Sequence, residues 1–345
     1  MLKKIWVDPD LLENKSGIGR DAKVMMNWLS SNFQTNLIDW PNFFSNHSKY
    51  RRKFIIGLRI LFGSKVTLPE TFDGALYQSQ LGPVLPGKSI KVWIIRLHDL
   101  FPITNPEWFN WWSRYIFRNS FKKALESNAI FLCDSATTEK VFLELSVGFQ
   151  AKSYVVPCQV GSITTRQCKD CDACANIETL VGEDFYLAVG TIEPRKNYSL
   201  ALDIWGSLSH DGPTLLIVGK PGWKTKNLQR KLRSGVDTRI QWIPECCDGA
   251  LEILYSNCEA LVSFSFAEGF DLPPMEARQR HNKPLFLSDI PVHREFHSDH
   301  AVFFSNASDF IELLKKPHRS PGFSSYTDSA KLTLDLLEDY LNSVL

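Results

Sequence analysis

Two glutamates, Glu268 and Glu276, stand eight residues apart in the run Glu268-Gly269-Phe270-Asp271-Leu272-Pro273-Pro274-Met275-Glu276. The first carboxylate follows an apolar strand candidate, Ala260–Phe264, and the second falls just inside a helix that Pro273 and Pro274 suit as openers. Proline costs little at a helix start, where its missing N–H would have no intrahelical acceptor. The N–H groups and dipole of a helix start hold phosphate or sugar oxygens. A glutamate in that first turn is tolerated electrostatically. Two carboxylates placed this way suit gripping a nucleotide sugar at both ends. The bare spacing arises often by chance, so the rest of the string and its partners elsewhere carry the argument.

A second cluster is Leu187-Ala188-Val189-Gly190-Thr191-Ile192-Glu193-Pro194-Arg195-Lys196-Asn197, which follows a strand and opens a helix. Gly190 lets the backbone turn sharply where a ligand approaches. Arg195 and Lys196 then sit by a helix N-terminus, a suitable place for a diphosphate. An Arg-Lys pair on a loop is ordinarily only a solvated face; the strand–Gly–Lys–helix context is what raises it to a site. The next strand ends at Gly219 and Lys220, placed to line the same site, and Trp242 reads first as a core residue. Earlier in the chain, Gly17 and Gly19 join the first strand to the first helix, where backbone N–H groups can approach a sugar phosphate. His98 and Asp99 follow an apolar strand, and Ser135 reads as a helix cap.

The whole string from Glu268 to Glu276 resembles the signature of family 4 of the retaining glycosyltransferases, which have the GT-B fold and usually read E-G-F-G-L-P-x-x-E. Asp271 stands where the family has glycine. Gly190 to Asn197 resembles the family's phosphate loop, G-R-x-x-x-x-K-G, with Thr191 at the arginine, Asn197 at the second glycine, and Arg195 as the second cation. Ser288-Asp289-Ile290-Pro291-Val292-His293-Arg294-Glu295 is similar to the D-I-P-V-x-R-E string of mannosyl- and rhamnosyltransferase-like members, with Ser288 and Asp289 facing the cleft and Arg294 and Glu295 structural. Arg96 to Pro102 is similar to the family's H-D-L-x-P segment. The resemblance implies a hexose, mannose first, moved from a nucleotide diphosphate sugar such as GDP-mannose to a glycan or lipid-linked glycan acceptor in bacterial surface polysaccharide synthesis. It implies that Arg195 and Lys196 stabilise the leaving diphosphate. Glu268 orients donor-sugar hydroxyls, Glu276 hydrogen-bonds the ribose, and His98 reaches the donor sugar or the incoming hydroxyl. Gly269, Phe270, Asp271 and Leu272 line the donor. Front-side attack and no catalytic metal follow from the same resemblance.

The 345 residues are enough for two domains of ordinary size, and a net charge of +1 argues against a bulk nucleic-acid binder. No apolar run reaches the roughly 18 residues of a membrane span. The lysines near Met1 precede only a strand-length apolar run, so a cytoplasmic protein with reduced cysteines is expected. Short apolar strands, among them Asn36–Ile38, Ala129–Cys133, Phe185–Val189 and Thr214–Val218, alternate with amphipathic stretches, which implies parallel α/β layers. The pattern restarts at Phe185, giving two doubly wound Rossmann-like domains facing a cleft. An acceptor-side domain is expected over residues 1–157, a cysteine-rich linker over 158–182, a donor-binding domain over 183–322, and a last helix over 323–345 that packs back on the first domain.

The segment 47–66 carries Lys49, Arg51, Arg52, Lys53, Arg59 and Lys65 with interleaved apolar residues and no acid. It reads equally as a basic amphipathic helix on the inner face of an anionic membrane and as an ordinary packed helix. Cys168, Cys171 and Cys174 form C-x2-C-x2-C, with Cys158 upstream. The spacing departs from the paired C-x2-C knuckles of structural zinc, and reduced thiols are the preferred reading. Two other classes share such a fold: a nucleotide-sugar epimerase or glycosidic-bond phosphorylase, which would form no acceptor-linked sugar, and a non-catalytic partner protein, which would bind no donor.

Overall fold

The computed structural model describes residues 4–7, 17–32, 34–36, 72–78, 90–127, 129–160, 174, 177–235, 237–315 and 338. The chain divides into two compact units, one of residues Met1–Gly161 with Ser325–Leu345 and one of Ser162–Ser324. The basic segment 47–66, the cysteines at 168 and 171, and all of the expected C-terminal helix except residue 338 lie outside the described residues.

The first unit is built on strands β1 (Lys4–Val7), β2 (Gln34–Asn36), β3 (Phe72–Gln78), β4 (Ile90–Leu97), β5 (Ala129–Cys133) and β6 (Lys152–Val155). All pair in parallel, in the order β2-β1-β3-β4-β5-β6. Helices α1 (Gly17–Asn32), α2 (Phe101–Thr104), α3 (Trp111–Leu125) and α4 (Ala136–Leu145) connect them. The period of two in a strand sorts side chains to opposite faces. Trp93, Ile95 and Leu97 join one core with Phe121, Phe131 and Phe142, while Val92 and Ile94 join another with Met25 and Leu29 of α1. Burial on both faces is why β5 reads as a continuous apolar run and β4 does so over Val92–Ile95. Helix starts are fixed locally: Asn110 accepts from Ser113 N–H at 2.8 Å, and Ser135 accepts from Thr138 N–H at 3.0 Å.

The second unit carries β7 (Phe185–Val189), β8 (Thr214–Val218), β9 (Ile240–Ile243), β10 (Ala260–Ser263), β11 (Leu285–Ser288) and β12 (Ala301–Phe304). Its parallel sheet runs β12-β11-β10-β7-β8-β9. Its helices are α5 (Ile177–Leu180), α6 (Tyr198–Ser207), α7 (Lys226–Arg233), α8 (Asp248–Asn257), α9 (Leu272–His281), α10 (Pro291–His297) and α11 (Ala307–Leu314). Leu215 and Ile217 face a core that includes Trp205 and Phe310; Leu216 and Val218 face the opposite core with Leu254 and Tyr255. Trp205 is fully buried, and its indole N–H donates to the Pro213 carbonyl at 2.7 Å, so its one polar group is satisfied.

This strand order has a consequence for ligands. The chain proceeds outward from β7 to β8 and β9, then returns to the other side of β7 with β10. In a parallel sheet the loops leaving two such neighbouring strands part at their carboxyl ends and leave a crevice, the usual ligand position of doubly wound folds. The loops after β7 and β10 are the two that carry Arg195–Lys196 and Glu268–Asp271.

Candidate active site

The loop after β7 turns at Gly190, whose φ of 155° lies outside the range that side chains favour. A Cβ there would also come within 2.9 Å of Lys196 Cε, so the lysine stem lies directly over the glycine. Gly219, at the end of β8, packs against Gly190 so closely that a Cβ would sit 1.9 Å from the Gly190 carbonyl oxygen. The glycine pair lets the two strand ends touch and leaves the space above Gly190 for Lys196. Lys220 is exposed, and its carbonyl accepts from Ile192 N–H. Trp242 donates its indole N–H to the Gly219 carbonyl at 2.7 Å, so its polar edge supports the loop.

Pro194–Lys196 form one 3-10 turn that ends at Asn197 in the left-handed region, φ 50°. Asparagine tolerates that conformation better than other non-glycine residues, which accounts for Asn197 where the family pattern has glycine. The same logic applies at Asp271, φ 67° and ψ 77°, the residue before α9. Because α9 begins at Leu272, Glu276 falls in its second turn and not in the first, as the sequence had suggested.

The structure brings Lys196, Glu268 and Asp271, all buried, together with the half-buried Arg195. Lys196 Nζ lies 2.8 Å from Glu268 Oε1 and 2.9 Å from Asp271 Oδ1. Arg195 pairs with Glu268 Oε2 and, at 2.6 Å, with Glu193 Oε1. Ser265 donates to Glu268 Oε1 at 2.6 Å, and Ser263 donates to Asp271 Oδ2 at 2.8 Å. His293 of α10 meets Asp271 Oδ2 through Nε2 at 3.1 Å. Burial disfavours a charged Lys196, yet Asp271 and Glu268 outweigh it and hold its pKa above the ordinary lysine value. Burial likewise works against the Asp271 carboxylate, but Lys196 and His293 hold it well below the usual range. A cleft of about 700 Å³ begins beside this set and is lined by Glu193, Tyr198 and Asn197 among others.

Glu276 belongs to a different set. Its Oε2 accepts from the Tyr255 hydroxyl at 2.8 Å and its Oε1 lies 2.9 Å from Arg280. Both oxygens are therefore engaged within the protein, so a ribose hydroxyl would have to join or replace Tyr255 or Arg280. Gly269 is buried between Glu268 and Phe270, and Phe270 stacks edge-on against Phe296 at 4.6 Å. Leu272 is half-buried at the start of α9. Arg294 pairs with Asp289 at 2.7 Å on an exposed face, while Ser288 is buried and donates to the Ser265 carbonyl at 2.6 Å.

In the first unit the carboxyl ends of β4 and β5 form their own buried network. His98 Nδ1 lies 2.6 Å from Asp134 Oδ2. Asp134 is the carboxylate that orients the ring; Asp99 accepts from the backbone N–H of Phe101 at 3.2 Å. Burial opposes charging His98, but Asp134 more than offsets it and raises the pKa above 6.5. His98 Nε2 is buried and has no hydrogen-bond partner among the described residues. Arg96, wholly buried, pairs with Asp21 of α1 and with Asp134, each at 3.0 Å, and donates to the Val156 carbonyl. Asp21, His98 and Cys158 hold ligand-type atoms within 4.8 Å of one another, but Arg96 already occupies Asp21 and reaches Cys158 Sγ at 3.4 Å. A cation therefore has the guanidinium as its rival. Gly17 and Gly19 lie within the first turn of α1 and not in a loop before it. The first-turn N–H groups of a helix have no intrahelical acceptor, so the anion-binding property belongs to the helix start.

Sequence reasoning missed Glu193, Ser263, Ser265 and His293. Glu193 and His293 lay inside strings already singled out, and their charge complementarity to Arg195 and Asp271 was the available signal.

Comparison with known proteins follows the same division. Residues 176–320 match the family of glycosyl transferases group 1. A serotype-specific mannosyltransferase, WbdA of Escherichia coli, is 36% identical over 138 residues, 39% of this chain and 17% of its own length. The chain thus matches only about a sixth of that relative. The O-antigen chain mannosyltransferase RfbU of Salmonella typhimurium is 26% identical over 276 residues, 76% of this chain and 70% of its own. The crystal structure of Anabaena HepE in complex with UDP and glucose is 12% identical with a TM-score of 0.58, covering 100% of this chain and 97% of its own, a likeness of fold. No helix among the described residues is long and apolar enough to cross a membrane. The chain has the GT-B fold, and residues 176–320 of its second unit are similar to the glycosyl transferases group 1.

Proposed function

We propose that this protein is a retaining glycosyltransferase that moves a hexose, mannose first, from a nucleotide diphosphate sugar to a glycan acceptor in bacterial surface polysaccharide synthesis. The observation that carries the reading is the Arg195–Lys196–Glu268 set at the carboxyl ends of β7 and β10, where the strand order opens a crevice. The mannosyltransferase names of two relatives support the choice of sugar.

In this reading Lys196 and Arg195 take the leaving diphosphate, and Glu268, released from them in part, accepts from donor-sugar hydroxyls. The bond from the anomeric carbon to the diphosphate oxygen breaks while the acceptor oxygen bonds to the same face. The acceptor proton passes to the leaving phosphate, which needs no enzymatic nucleophile. Most of the rate then comes from positioning and from charge stabilisation at the diphosphate. His98, oriented by Asp134, holds Nε2 available for a hydroxyl. A lipid-linked acceptor at the inner face of the plasma membrane suits the basic segment 47–66.

A thermal-shift panel of GDP-, UDP- and dTDP-sugars, with Lys196→Ala alongside, tests the reading. Stabilisation by one nucleotide class, lost in the variant, names the donor. No shift with any of them points to a non-catalytic GT-B protein instead.

A further inference from the structure

We propose that the outer face of helix α3 docks on an anionic lipid surface, with Trp111 and Tyr115 entering the headgroup layer and Arg118 and Lys122 meeting its phosphates. The inference deepens the reading above, in which the acceptor is lipid-linked. It rests on that reading for its purpose and on α3 alone for its geometry.

The first observation is that the apolar stripe of α3 is already buried. Ile116, Phe117, Phe121 and Leu125 pack into a core shared with Trp93 and Phe131 of the sheet. A helix seated on its domain in this way ordinarily turns polar residues outward. Trp111, Tyr115, Arg118 and Lys122 follow at spacings of four, three and four residues, all exposed, which sets them in one row on the side away from that core. The row is about 16 Å long. Its first two members are aromatic: Trp111 keeps 67% of its surface open and Tyr115 38%. The core gains nothing from large apolar rings at those positions.

The second observation is that these rings are held in place. Trp111 meets Trp112 edge-on with centroids 5.4 Å apart, and Trp112 stacks on Tyr115 at 6.1 Å. Trp112 is half-buried and packs against the core, so it anchors the two outer rings. Side chains ordered before docking lose little freedom on docking. Tryptophan and tyrosine join an apolar body to a polar tip, and at a membrane both settle at the headgroup level.

The third observation is charge. The stretch 101–125 holds four cations, Arg114, Arg118, Lys122 and Lys123, against one acid, Glu107, a net +3 in a chain whose whole net charge is +1. Glu126 lies 3.9 Å from Lys122, an open pair that neutralises little. The row is thus aromatic in its first turns and cationic in its last, the pattern of a helix lying in a bilayer interface. Arginine and lysine stems lie along apolar surface while their heads reach phosphates. A neutral glycan would stack on the rings and leave the cations unused; an anionic bilayer uses both.

The test is co-sedimentation of the full chain with vesicles of mixed phosphatidylglycerol and phosphatidylcholine, and of phosphatidylcholine alone, at low and high salt. The unsubstituted protein is expected to bind the anionic vesicles and to leave them as salt screens the headgroups. The double variant Arg118→Gln, Lys122→Gln is expected to bind about thirtyfold more weakly at low salt, the loss of two headgroup contacts of ordinary strength. The double variant Trp111→Ser, Tyr115→Ser is expected to bind about tenfold more weakly. All four side chains are exposed, so Tm and the thermal shift given by nucleotide sugars are expected to stay close to those of the unsubstituted protein. Those two readouts separate a folding fault, or a failed donor reading, from a failed docking surface. Unchanged binding to anionic vesicles in both double variants overturns the proposal and moves the membrane contact to another surface. Vesicle binding kept by Trp111→Ser, Tyr115→Ser, with binding of a soluble mannan lost, makes the rings a glycan platform and overturns it as well. Absence of vesicle binding by the unsubstituted protein overturns the docking surface and leaves the donor site standing.

Discussion

Each unit holds a cation between two carboxylates at the carboxyl ends of its strands, and the two arrangements differ in one respect. In the first unit Arg96 has a side chain with no exposure, paired with Asp21 and Asp134 and bonded to the Val156 carbonyl. In the second unit Lys196 and Arg195 keep 10% and 18% of their side-chain surface open. A guanidinium closed on all sides ties α1, β4, β5 and the segment after β6 together. A cation pair with an open edge, over a glycine that leaves room, is able to exchange partners. The same chemical motif is a structural tie in one unit and a candidate ligand site in the other, and accessibility decides which.

Four experiments break or sharpen this contrast. The largest effect is expected for Arg96→Met. Removing the buried cation that Asp21 and Asp134 share costs about 3–5 kcal/mol, which would appear as a large drop in Tm or a failure of the first unit to fold. If Arg96→Met melts as the unsubstituted protein does, the structural half of the contrast is wrong. Lys196→Ala is next: donor affinity falls by about two orders of magnitude in titration calorimetry, while a circular dichroism spectrum of native shape keeps the loss local. Retention of full donor affinity would remove Lys196 from the site.

Smaller effects concern the histidines and are read from pH. The His98 pKa is raised on folding, so its pairing with Asp134 stabilises the protein fully below the unfolded pKa, and the stabilisation fades as pH rises through the higher folded value. His98→Asn should therefore lower Tm at pH 5.5 by more than at pH 9; equal losses at both would contradict the pairing. His297 shows the reverse sign. Its pKa falls to about 3 on folding, so stability is lost as pH drops from the ordinary histidine value towards 3. His297→Leu should make acid unfolding between those values less steep, by at most one proton in its slope.

How much of this was legible before the fold was known differs between elements. Strands Phe185–Val189, Thr214–Val218 and Ala129–Cys133 were read to the residue, because each is dominated by a short apolar run bounded by polar, proline or glycine residues. The edge strand Ala301–Phe304 and the helix Ala307–Leu314 were not read; the strand is short and half-open, so its pattern is weak. The short strand expected at Asn36–Ile38 lies two residues earlier, at Gln34–Asn36. Trp242 was read as a core residue, and its ring packs at the edge of one core while its N–H holds the Gly219 loop.

By itself the sequence determined which local elements form and which chemistry they carry: apolar runs become strands, prolines and glycines set the turns, and Arg195, Lys196, Glu268 and Glu276 supply charge. Those are properties of neighbours in the chain, set by periodicity and backbone preference. The partners were decided only by tertiary structure. Lys196 meets Asp271 across 75 positions, Arg96 meets Asp21 across 75, and Tyr255 takes the Glu276 oxygen across 21. Charge pairing in a buried site depends on distance and desolvation in three dimensions, and only the strand order of each sheet fixes those.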